Sequence, residues 1–148
     1  MAQTTEYWTM KNAKLEFSVN GTAWTDASGY TNQVEWDGFE RQNEFTHTFS
    51  GESPLLSTGK KEGGTVKYRA IYTEGAGDIV ATAQSAYDND TAFYMRWSPR
   101  GGGSGSKQYT TAAGKVTKPP YPGGELNAET ILVEIEMATP SITPSTVA

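Results

Sequence analysis

At 148 residues and 16.0 kDa the chain is the size of one domain, long enough to bury a core without disulfide or metal staples. Its 17 acidic residues outnumber 12 Lys plus Arg for a formal charge of −5, so it lacks the clustered positive charge that grips nucleic-acid phosphates. The absence of cysteine excludes disulfides, zinc–thiolate and iron–sulfur sites and a cysteine nucleophile, and the single histidine, His47, leaves too little for a histidine metal site.

The first residues are polar apart from Tyr7, Trp8 and Met10, and they show neither a basic n-region nor an apolar h-region of a secretory signal. No run approaches the roughly 18 apolar residues that span a bilayer. We therefore expect a protein made or assembled in the cytoplasm, in which the Asn-x-Thr sequons at Asn20 and Asn89 are ordinary turns.

From there the pattern is β. Residues 14–19 alternate, with Leu15, Phe17 and Val19 on one face, and Asn20-Gly21 signals a hairpin turn returning through residues 24–26. Residues 33–36 continue the sheet. Residues 43–49 place Phe45, His47 and Phe49 on one side and Glu44, Thr46 and Thr48 on the other. Residues 65–72 set Val66, Tyr68, Ala70 and Tyr72 against Lys67, Arg69 and Ile71, and these two strands read as hairpin partners joined by a long loop, residues 50–64. Loops of that length are uncommon in hairpins and are often functional, and this one exposes Leu55 and Leu56.

One helix follows: Asp78 is the expected N-cap, with Ile79, Val80, Ala83, Ala86 and Tyr87 at helical spacing before Asp88-Asn89-Asp90. A helix this short must pack on a sheet, across one end of a sandwich. Residues 91–97 alternate Phe93, Met95 and Trp97 against Tyr94 and Arg96. Residues 130–137 alternate Ile131, Val133, Ile135 and Met137 against Leu132, Glu134 and Glu136. The Pro-, Ser- and Thr-rich tail, residues 140–148, reads as an arm, as do residues 1–13.

Candidate chemistry is thin. His47 could serve as a general base, but no nucleophile motif accompanies it, and its place beside Phe45 and Phe49 reads as a partly buried structural residue. The run GGGSGSK before Gln108 lacks the helix of a phosphate loop and reads as a hairpin tip. Asp88-Asn89-Asp90 lacks the remaining ligands of a calcium loop. The carboxylates Glu134/Glu136 and Asp37/Glu40 resemble a glycosidase pair only in being acidic neighbours. Trp8, Trp24, Trp36 and Trp97 could form a sugar platform, which makes a carbohydrate- or surface-binding sandwich the rival reading, although core and interface anchoring is the commoner use of such residues. Residues 99–124 carry Arg100, Lys107, Lys115 and Lys118 with no acid, and Glu125, Glu129, Glu134 and Glu136 follow, an asymmetry suited to orienting one subunit against the next.

The runs LEFSVNGTAWTDASGYTNQVEW, SGESPLLSTGKKE, AIYTEG, MRWSPRGGGSG and PYPGGE, in this order, resemble the tail tube (major tail) proteins of long-tailed, siphovirus-like phages and prophages over residues 14–139. The resemblance implies a mainly β sandwich with one flanking helix, phage tail tube-like, and no enzymatic activity or cofactor. It implies hexameric rings stacked into a hollow tube for genome DNA, with tape measure, tail terminator and tail tip proteins as further partners and the virion tail as location. It assigns residues 50–64 to contact with the adjacent ring through Leu55, Leu56, Lys60, Lys61 and Glu62. On the opposite faces of the strands, Glu44, Thr46, Thr48, Lys67, Arg69, Glu134 and Glu136 become candidates to line the bore. Six copies at −5 would carry about −30 per ring, which repels rather than traps a duplex bearing one charge per roughly 1.7 Å.

Overall fold

The computed structural model describes residues 2–148; Met1, the first residue of the expected arm, lies outside them. Residues 2–9 are exposed and without regular secondary structure, and lead through a 3-10 turn at Met10–Asn12 into the body. The strands are β1 (Lys14–Ser18), β2 (Thr25–Asp26), β3 (Thr31–Gly38), β4 (Arg41–Thr46), β5 (Leu55–Lys61), β6 (Gly64–Ile71), β7 (Ala92–Ser98), β8 (Lys107–Thr111), β9 (Gly114–Val116), β10 (Leu132–Thr139) and β11 (Ile142–Thr146), with helix α1 (Ile79–Asn89) between β6 and β7.

The body is two antiparallel layers. One runs β2-β1-β7-β8-β11 and the other β3-β6-β10-β9, and a short β7–β9 ladder joins them. Alternation fills the space between them: Val66, Tyr68 and Ala70 from β6 and Ile135 and Met137 from β10 meet Phe17 from β1 and Phe93, Met95 and Trp97 from β7. Phe17 and Phe93 stack with centroids 6.1 Å apart. The fully buried Tyr68 spans the layers, its hydroxyl donating between the carbonyl oxygens of Arg96 (2.9 Å) and Glu16 (3.1 Å). Burial pushes its phenol well above the usual tyrosine pKa.

Helix α1 buries Ile79, Val80, Ala83 and Ala86 against β7, β9 and β10, the spacing of one helical face. Asp78 stands at the N-cap in extended backbone without a side-chain cap bond. Burial raises the pKa of the Tyr30 phenol near this end of the helix. Asp90, left-handed at φ 51°, closes the C-terminus with its N–H on Ala86 and Tyr87 oxygens, so Asp88-Asn89-Asp90 is a helix-ending turn.

Four expectations are corrected. Residues 43–49 do not pair with residues 65–72: β6 lies between β3 and β10, and β4 pairs with β5. The supposed long loop therefore contains strand β5 (Leu55–Lys61), unread because its residues are exposed on both faces and show no alternation. Phe45, His47 and Phe49 are exposed for the same reason, having no second layer to face. Asn20-Gly21 is not a two-residue turn; β1 and β2 pair at Phe17↔Thr25, and Asn20 organises the intervening loop by accepting from the Thr22 (2.9 Å) and Ala23 (2.8 Å) amides. Finally, the tail is not a free arm within the protomer, because β11 forms a ladder with β8 from Ile142↔Thr111 to Thr146↔Lys107. Smaller differences are that Val19 and Ile131 are exposed and that β10 extends to Thr139.

Candidate assembly surfaces

The most distinctive feature is a projecting arm. Strands β3 and β6 pair from Thr31 to Gly38, and β4 and β5 carry the same antiparallel path outward, so residues 31–71 form one long hairpin. The joint is built by Gly38 (φ +89°) followed by Phe39 (φ 62°), with the Phe39 amide on the Gly63 oxygen (3.2 Å) and the Glu62 amide on the Glu40 oxygen (2.8 Å). A Cβ on Gly38 would sit 2.8 Å from the Gly64 Cα, so the left-handed backbone and the close crossing both demand glycine there. Beyond it every residue from 40 to 63 is exposed, and the arm reaches about 25 Å outward at ~3.3 Å per residue.

Register sorts the arm's side chains. Phe45 opposes Leu56, giving one apolar pair, while Leu55 opposes Thr46 and faces the other way with Glu44 and Ser57. Lys60 and Lys61 lie toward the root, and Glu62 accepts from the Gln42 side chain (3.4 Å) at the joint. Phe49 is fully bare at the tip, close in sequence to His47 and Thr48. His47 has no hydrogen-bond or ionic partner among the described residues.

The candidate bore residues fall on two separate surfaces. Glu44, Thr46 and Thr48 belong to the arm. Lys67, Arg69, Glu134 and Glu136 lie together on the outer face of β6 and β10, in register as Arg69↔Glu134 and Lys67↔Glu136. Strand β3 adds Gln33 opposite Arg69 and Glu35 opposite Lys67 to this face. The sequence had no signal for those two until the β3–β6 register is known.

A second polar centre was missed altogether. Glu16, nearly buried on β1, opposes Arg96 on β7, and the pair is bidentate at 2.9–3.2 Å. Arg96 in turn covers the Trp24 ring at 4.3 Å, and Trp24 meets Tyr94 edge-on. This arrangement ties β1 to β7.

The four tryptophans form no common platform. Trp24 packs under Arg96, Trp8 lies under Arg100 at 4.9 Å, and Trp36 and Trp97 line an open groove of about 600 Å³ with Phe39, Tyr109 and Ile142. Lys61 and Glu62 border the groove at the root of the arm. Among the described residues no group of three or more His, Asp or Glu side chains is placed to hold a metal ion, and no helix is long and apolar enough to cross a membrane.

The two sheet edges differ. The ladder alternation set by the Phe39–Gly63 bond turns the backbone groups of Val34 and Trp36 outward from β3, where no strand among the described residues covers them. Beside β11 the bonds of Ser141 to Ala112 and of Val147 to Ser106, just outside the ends of β8, put Pro144 in an outward position, so that edge lacks a donor at its centre.

No family profile and no curated relative matches the sequence. Among solved structures, the chain is similar to one from the sheath/tube terminator of an extracellular contractile injection system, PVC, in the extended state (TM-score 0.72, 10% identity, 96% of this chain and 99% of that chain). It is similar to a chain of the anti-feeding prophage baseplate, six-fold symmetrised (TM-score 0.70, 8% identity, 99% of each chain). It also matches a chain in the tail of an empty gene transfer agent particle refined with C6 symmetry (TM-score 0.66, 12% identity, 99% of this chain and 100% of that chain). The likeness thus extends to contractile and gene-transfer particles and is not particular to long-tailed siphoviruses. At such identities it carries the fold: the chain is mainly β, with one large antiparallel sheet and one helix, and takes the phage tail tube-like fold.

Proposed function

We propose that this protein is a non-enzymatic structural subunit of a phage-tail-like particle, closing into hexameric rings that stack into a hollow tube and conduct genome DNA. The observation that carries this reading is the arm: an isolated two-stranded ribbon is marginal in water, and this one holds Phe45, Leu55 and Leu56 bare where only another chain can cover them. In this reading Phe45, Leu55 and Leu56, with Lys60, Lys61 and Glu62 behind them, contact the adjacent ring. Glu44, Thr46 and Thr48 join that contact, since they lie on the arm.

The layer β3-β6-β10-β9 becomes the inner wall. Its four strands in six copies would close a barrel of about 50 Å backbone diameter, leaving roughly 40 Å for a duplex of about 20 Å. Its outer face then turns Lys67, Arg69, Glu134 and Glu136 to the bore, and the uncovered β3 edge meets the next subunit. Partners are further copies of this chain, tape measure, terminator and tip proteins, and passing DNA; assembly in the host cytoplasm and residence in the particle follow. Negative-stain microscopy at high concentration tests this: six-fold rings and tubes are expected, and a chain that stays monomeric at every concentration overturns it.

The aromatic groove favours one rival, a glycan-binding sandwich that stacks sugars on Trp36 and Tyr109. Fluorescence titration against a glycan panel separates the two, because the tube reading expects no quenching.

A further inference from the structure

The face assigned to the bore presents a physical difficulty. It carries three cations, Lys67, Arg69 and Lys118, and a channel that offers free cations to DNA grips it, because each phosphate neutralised adds to affinity by releasing counterions. All three converge on one carboxylate. Glu134 lies 3.6 Å from the Arg69 guanidinium, 3.8 Å from the Lys67 ammonium and 3.8 Å from that of Lys118, through both of its oxygens. Its strand neighbour on the same face, Glu136, opposes Lys67 in register yet forms no ion pair within 4.0 Å among the described residues. Glu35 is occupied on β3, where the Gln33 amide donates to it.

We propose that Glu134 is the residue that keeps this face from binding duplex DNA, by holding Lys67, Arg69 and Lys118 in a single hub. The proposal rests on the reading that this face lines the bore. The separations are well inside the screening length of about 8 Å at physiological salt, so salt weakens the attraction among these partly exposed groups without removing it. A phosphate approaching the wall meets cations already engaged and must displace a tethered carboxylate to reach them. Around a ring the same hub recurs in each subunit, so the wall carries positive charge without offering it. One carboxylate therefore governs three cations, and its loss does more than change the net charge by one.

The test is Glu134→Gln beside Glu136→Gln in the full chain, two variants with identical charge change on one strand face. Binding of a fluorescein-labelled 20-bp duplex is followed by anisotropy from about 50 to 200 mM salt. Wild type and Glu136→Gln are expected to bind negligibly. Glu134→Gln is expected to bind at least about tenfold tighter than Glu136→Gln, with a log–log salt slope of roughly −2 to −3, as for two or three phosphates. Adding Arg69→Gln to Glu134→Gln should abolish most of the gain. Glu134→Ala, checked for an unchanged melting curve, gives the same ranking if the amide itself disturbs the face. Equal binding by the two single variants, or none by either, overturns the hub. Assembled Glu134→Gln tubes separate this from the bore reading: short duplex added from outside should decorate tube ends at most. Tubes coated along their length would keep the hub and remove this face from the bore.

Discussion

The long hairpin spanning residues 31–71 is one antiparallel ribbon with two unlike halves. Its inner half alternates a buried row, Val66, Tyr68 and Ala70, with an exposed one, while its outer half buries nothing. Two backbone bonds at the joint, Phe39 to Gly63 and Glu62 to Glu40, carry the antiparallel path from the large sheet into the separate β4–β5 pair, and the chief difference between the halves lies in what the side chains face. The inner half is held by the core and the outer half only by its own hydrogen bonds. Stability and assembly should therefore separate along one piece of chain.

Substitutions in the two halves sharpen that contrast. The largest effect is expected at Tyr68: Tyr68→Ala should cost about 3–5 kcal/mol in denaturant unfolding, as for other large aromatic truncations in cores. Tyr68→Phe keeps the packing and loses the hydrogen bond between layers, about 1–2 kcal/mol. It should also flatten the alkaline limb: the folded pKa is raised, so the proton is held more tightly in the native state, and stability present below about pH 10 falls as pH rises toward the folded value. Glu16→Ala, which strands Arg96 over Trp24, should cost about 1–3 kcal/mol in the same assay. In the outer half, Phe45→Ser with Leu56→Ser should move protomer stability by less than about 0.5 kcal/mol yet eliminate rings and tubes in micrographs. A loss of several kcal/mol there would show that the arm is part of the protomer's own core.

The smallest effect is at Asp26. The Ser28 hydroxyl and amide hold its carboxyl below the usual range, so its contribution is present above about pH 3.9 and disappears as pH falls through the lowered folded value. Asp26→Asn should remove that small acid-limb dependence in a pH series of melting curves.

Legibility in the sequence follows the same division. Strands β6, β7 and β10 and helix α1 were readable because each separates a buried face from a wet one, and periodicity records that separation. Strands β5 and β11 have no such contrast; Leu55-Leu56 followed by small and basic residues, and Pro144 in a Ser/Thr stretch, read as loop and tail, and backbone pairing alone makes them strands. The charged face was half visible: alternation put Lys67 with Arg69 and Glu134 with Glu136, but their convergence on Glu134, and the arrival of Lys118, depend on register and on a segment from elsewhere in the chain. The groove was invisible, because Trp36, Phe39, Trp97, Tyr109 and Ile142 are scattered along the sequence.

The joint at Gly38 and Phe39 acts as a bearing. Two consecutive left-handed residues set the direction in which the ribbon leaves the body, and neither belongs to the charged face nor to the apolar pair farther out. A change confined to that bearing would re-aim the whole lever while leaving wall and fingertip untouched. In any stack of such subunits, pitch and rotation between layers would then be adjustable at one place, independently of what the channel carries.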